Sequence, residues 1–364
     1  MSSRPVREPG LDTRVGGGGG VWETALDALE GYVCAHPGIT VTPVSLAIPE
    51  ELRPRFYQLA SQVQHALCTK ALGGPSAELV EAARLCSGVK QRLAGMSDLV
   101  DLRLASAVEA LVDNPERALA APLLGMVLDV VQKRKTRLQL LAEAQETLPG
   151  HSERLFRNAY EAWAYYGVVE ALGPRRFYEV FSPDTVQASA VASGYVTIGS
   201  QATSPERRFP EAVFETAEGR LFAMKSEAAR ELDYYGLRIT RRRDFSAGGN
   251  TVDQVAHRVL LLYEIASLDA IPAIADRDKQ TVLPSDLMCE VLTPQEIEQP
   301  SCLSQFADRI NTVRSKRPVQ VICFDRPGVF PPEMLEDKRL QSLEQRVVGF
   351  SHQRLKEIAD LVRN

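Results

Sequence analysis

Three side chains in the second half of the chain have the types and spacing to act on a phosphodiester. Glu211 follows Pro210 at the head of the apolar run Ala212-Val213-Phe214, and Lys225 closes the run Leu221-Phe222-Ala223-Met224. Ala217-Glu218-Gly219 between them reads as a tight turn, so the two runs form a hairpin that returns Lys225 to the level of Glu211. Glu161 lies upstream, in the helical segment Tyr160-Glu161-Ala162-Trp163. Metal-assisted phosphodiester hydrolysis needs carboxylates that grip a hard cation, a water held near the phosphate, and a lysine that orients that water and offsets transition-state charge. Residues two apart on a strand share a face, so an acid at position 223 would stand beside Lys225 and complete the set. Position 223 is an alanine, which supplies no oxygen to a cation that takes oxygen ligands. The metal-ligand candidates are therefore Glu211 and Glu161, with Glu215 or Glu227 as acids to which the missing role could have moved.

Arginines crowd the stretch after Lys225. Arg238, Arg241, Arg242 and Arg243 form its densest part, and on a strand Arg241 and Arg243 would share a face as a row of guanidinium groups suited to phosphate oxygens. Each candidate also has a plain reading: Glu161 as a polar position on an amphipathic helix, Glu211 as a solvated edge charge, Lys225 as a snorkelling surface lysine, His257 as a structural histidine, and the arginines as a solvated loop. A second basic cluster, Lys133, Arg134, Lys135 and Arg137, reads as an exposed helix face.

The elements that must position these groups change character along the chain. Residues 1–20 are polar and end in five glycines, a tail too costly in backbone entropy to order alone. Residues 21–148 read as a helical region, including one long helix over 115–148, with a short extended piece over 39–48. From Pro149-Gly150 onward, residues 149–364 alternate helix and strand. An amphipathic helix is expected over 252–268 and another over 340–362. The sum is an α+β protein: a helical N-terminal region, then a mixed sheet flanked by helices.

Bulk numbers narrow the class. Of 364 residues, 45% are hydrophobic and 24% charged, as in ordinary globular domains. A formal net charge of −5 excludes a histone-type polyanion binder, so any DNA contact must come from a local patch. No apolar run is long enough to span a bilayer and no secretory leader is evident, which predicts a cytoplasmic protein with no membrane contact and with its six cysteines reduced. The chain has no Walker A, nucleophile elbow, HExxH or CxxC motif, and no kinase signature set accompanies Lys225.

The order of these motifs resembles the PD-(D/E)XK nuclease superfamily, and its McrC-like restriction branch in particular. Tyr160-Glu161-Ala162-Trp163 is similar to that branch's first helix, Pro210-Glu211 to its P-D, Ala223-Met224-Lys225 to its acid-x-lysine, and Asp253-Gln254, His257 and Tyr263 to its following helix. The resemblance implies a restriction-endonuclease-like fold and a bacterial restriction or defence setting. It also implies a DNA partner, Mg²⁺ as the cofactor of an active enzyme, and Glu211, Lys225 and Glu161 as catalytic residues. Ala223 departs from the pattern, so the expectation is a nuclease-fold DNA-binding protein with a degenerate centre. The alternative is a non-enzymatic protein-interaction scaffold or regulatory subunit with an unrelated α/β domain and a protein partner.

Overall fold

The computed structural model describes residues 20–104, 106–181, 188–197, 209–226, 259–276 and 281–363. The chain packs as two compact units, Met1–Gly74 with Ala120–Gln145, and Pro75–Leu119 with Glu146–Asn364. The division expected near 148–149 instead falls inside one helix, Arg137–Ala171, which runs through Pro149. A proline inside a helix costs about 3 kcal/mol. Here Leu140, Ala144, Leu148, Leu155 and Ala159 are buried at helical spacing on either side of it.

In the first unit, α1 (Val21–Ala35) buries Trp22, Leu26 and Leu29 and packs on α2 (Arg53–Leu72), which buries Phe56, Leu59, Val63 and Leu67. Between them lies a short antiparallel hairpin, β1 (Thr40–Val41) with β2 (Leu46–Ala47). The expected single helix over 115–148 is broken into α5 (Pro115–Ala120), α6 (Leu123–Val131) and the start of α7 (Arg137–Ala171). Pro122 precedes the second piece, and Lys133 turns the chain after it with φ 60°. The basic cluster sits around this turn and is neutralised at home. Lys133 pairs with Glu30, Arg134 and Lys135 with Asp129, and Arg137 with Asp27 and Glu30.

The second unit is built on an eight-stranded mixed sheet of order β14-β13-β12-β9-β8-β7-β4-β5. Its strands are β4 (Pro174–Phe181), β5 (Ser189–Ala192), β7 (Ala212–Thr216), β8 (Leu221–Lys225), β9 (Leu260–Ile265), β12 (Leu287–Val291), β13 (Val319–Cys323) and β14 (Leu343–Val347). Small ladders join β3 (Asp101–Arg103) to β6 (Tyr195–Thr197) and β10 (Ala275–Asp276) to β11 (Thr281–Val282). Parallel pairing joins β12 to β13 and β13 to β14, and the other pairs of the large sheet are antiparallel. One face carries Phe214, Phe222, Met224 and Leu262 against residues of α3 (Ala77–Met96), α7 and α10 (His352–Arg363). The other carries Val213, Ala223, Leu261, Tyr263 and Met288 against α9 (Pro300–Val313), which follows the short α8 (Pro294–Glu298). A helix α4 (Ser106–Asp113) precedes α5.

Two expected helices are corrected here. Residues 260–265 form β9, because Leu260-Leu261-Leu262-Tyr263 is covered on both faces of the sheet, and a short apolar run of this kind fits a buried strand as well as a helix. The segment expected as one helix over 340–362 is β14 and then α10, separated at Gly349 with φ 54°. The six cysteines are free thiols, four of them buried. Among the described residues no helix is long and apolar enough to cross a membrane.

Candidate functional site

The hairpin expected around Ala217-Glu218-Gly219 forms, and its register decides what meets what. Ala212 pairs with Met224 and Val213 with Ala223, and the Glu211 N–H donates to the Met224 carbonyl at 2.8 Å. Glu211 and Lys225 therefore face each other at the open end. The Lys225 amine lies 3.6 Å from Glu211 Oε1, with the two side chains 5% and 10% exposed, so this ion pair is screened little by solvent. Ser226 adds its N–H at 3.1 Å and its hydroxyl at 2.8 Å to the same carboxylate. Between them in sequence, Ala223 is fully buried among Val213, Leu261 and Tyr263, in apolar surroundings.

Glu161 is built into a different arrangement. Arg157, Glu161 and Tyr165 stand four residues apart on one face of α7, and that face clasps the end of β12. The Arg157 guanidinium donates to Glu161 Oε1 at 2.8 Å, to Glu296 Oε1 at 2.9 Å and to the Val291 carbonyl at 3.3 Å. The Val291 N–H donates to the Tyr165 hydroxyl at 3.1 Å. Burial, and then the charges of Glu161 and Glu290, push the Tyr165 hydroxyl far above its ordinary range. Glu290 is itself buried and paired with Arg309 of α9, at 2.5 Å and 3.3 Å.

The two arrangements lie on opposite faces of the sheet: Lys225 shares the face of Ala223 and Leu261, covered by α9, whereas α7, which carries Glu161, packs on the other. Both β8 and β12 run antiparallel to β9, so their C-terminal ends point the same way. Lys225 pairs with Leu261, and Leu261 with Met288, so these three share a face with Glu290 two residues further on. Strand spacings place the Cα atoms of Lys225 and Glu290 roughly 12 Å apart.

The donor chemistry does not suit Mg²⁺. Glu211 is engaged by Lys225 and Ser226, Glu161 by Arg157, and Ala223 supplies no oxygen. Among the described residues no group of three or more His, Cys, Asp or Glu side chains is placed to hold a metal. Glu161 and Glu211 thus do not form the metal pair expected of them on these residues. Glu215, one of the two acids considered for the missing role, sits at the turn end of the hairpin. Arg175 and the Tyr178 hydroxyl hold it there, so it is no substitute for position 223. Glu227, Arg238, Arg241, Arg242, Arg243, Asp253, Gln254 and His257 lie outside the described residues, and Tyr263 is on a strand rather than a helix.

Sequence reasoning passed over Arg157, Tyr165, Glu290, Glu296 and Arg309. The available signals were the four-residue spacing of Arg157, Glu161 and Tyr165, and a lone carboxylate inside the apolar strand Leu287-Met288-Cys289-Glu290-Val291. Comparison with protein-family models, with curated proteins and with solved structures finds no match to this chain.

Proposed function

We propose that the sheet unit is a nuclease-fold domain of the PD-(D/E)XK type that binds the DNA backbone and has lost cation-dependent cleavage. One observation carries the reading: the hairpin sets Glu211 and Lys225 against each other at its open end, and the position where an acid would complete the motif is a fully buried Ala223. That arrangement keeps the order of a cleavage site while removing a ligand from it. Arg238, Arg241, Arg242 and Arg243, which follow Lys225 in sequence, supply the charge for phosphate contacts. The setting that goes with this reading is restriction or defence.

Fluorescence anisotropy of a labelled duplex, with a chelator present, tests it. Binding is expected to weaken steeply with salt, and the double variant Arg241→Ala/Arg243→Ala is expected to lower the log–log salt slope by about 2. Absence of binding at low salt sinks the reading and leaves a protein-interaction scaffold or regulatory subunit in its place.

A further inference from the structure

Arg157 lies where oxygens converge. Its guanidinium is held by Glu161 Oε1 at 2.8 Å, by Glu296 Oε1 at 2.9 Å and Oε2 at 3.3 Å, and by the Val291 carbonyl at 3.3 Å. Two carboxylates and a main-chain carbonyl on three separate elements are the kind of all-oxygen set that a hard divalent cation takes. The side chains are 21% (Arg157), 6% (Glu161) and 16% (Glu296) exposed, so these contacts are made largely out of water. A planar guanidinium satisfies such a set through several donors at once, and it cannot lose its charge.

We infer that Arg157 is a resident cation: it fills with a guanidinium, built into the chain, the oxygen cage at the end of β12 that would otherwise take a divalent metal. Arg157 is thereby a positioning residue, fixing α7, α8 and the end of β12 without a metal. Buried acid–base pairs recur on the opposite face of the sheet, where Lys225 serves Glu211 and Arg309 serves Glu290. Each buried carboxylate is neutralised by a cation of the chain. This rests on the proposed function, in which the domain binds DNA without a metal.

Mn²⁺ is the probe, in calorimetric titration and in thermal unfolding at constant ionic strength, with no DNA present. The wild type is expected to give no binding heat and no midpoint shift beyond the ionic-strength control. Arg157→Met leaves the Glu161 and Glu296 carboxylates without that guanidinium, and millimolar Mn²⁺ is expected to raise its midpoint saturably by about 2–4 °C. Adding Glu161→Gln to that variant is expected to remove the response. One-site Mn²⁺ binding by the wild type that Glu161→Gln abolishes overturns the inference, and so does a folded Arg157→Met protein indifferent to Mn²⁺. Should Arg157→Met fail to fold, the wild-type titration decides alone. Mn²⁺ binding by a wild type that still binds duplex DNA in chelator would sink this inference and leave the proposed function standing.

Discussion

The β7–β8 hairpin carries opposite charges at both of its ends, and the two ends differ in their water. At the open end Lys225 and Glu211 are almost wholly buried, and Ser226 completes the carboxylate's hydrogen bonds. At the turn end Arg220 makes a bidentate pair with Glu264 of β9, at 2.7 Å and 2.8 Å, with the two side chains 30% and 44% exposed. By geometry alone the exposed pair is the better one. Burial reverses the ranking, because removing one partner from water-poor surroundings leaves an uncompensated charge, whereas an exposed charge is taken up by solvent.

The largest expected effect is therefore at the open end. Lys225→Met should destabilise the protein by about 3 kcal/mol, read from urea unfolding midpoints at neutral pH, because Glu211 loses its cation in a buried place. Adding Glu211→Gln to that variant should recover a large part of the loss. A Lys225→Met protein as stable as the wild type would mean that the open end is wet. At the turn end, Arg220→Met should cost about 1 kcal/mol, since the pair is exposed and the remaining loss is that of the bonds Arg220 donates to the Val362 and Arg363 carbonyls at the end of α10. An equal cost at both ends would break the comparison.

The smallest effect is one of pH. The Arg220 guanidinium holds the Glu264 carboxyl below its usual range. A carboxyl whose folded-state value is depressed stabilises the fold above its unfolded value and loses that contribution as pH falls through the folded one. Stability should therefore decline as pH falls below about 4.5, more gently in Arg220→Met than in the wild type. Parallel profiles in unfolding midpoints from neutrality to acid would remove Glu264 from the account.

The hairpin was legible because both of its signals are local: two short apolar runs, Ala212-Val213-Phe214 and Leu221-Phe222-Ala223-Met224, and a turn at Gly219 with φ 80°. The acid–lysine contact follows from that register. Three things were not legible. The Leu260–Ile265 segment carries enough apolar residues to satisfy either period, and only cover on both sheet faces selects the strand. Pro149 reads as a stop, and the burial of residues on either side of it in α7 depends on tertiary packing. Glu290 looks like any acid in a strand until Arg309, nineteen residues away on α9, is brought against it. Ala223 is plain in the sequence, whereas the pairing of Lys225 with Glu211 and of Arg157 with Glu161 shows only in three dimensions.

The central claim is a DNA-binding domain that does not cleave, and incubation of supercoiled plasmid with the intact protein in Mg²⁺ tests it most directly. The account predicts plasmid that is retarded on a gel, with or without chelator, and that stays supercoiled after the protein is stripped away. Mg²⁺-dependent nicking or linearisation that Lys225→Ala abolishes would contradict it.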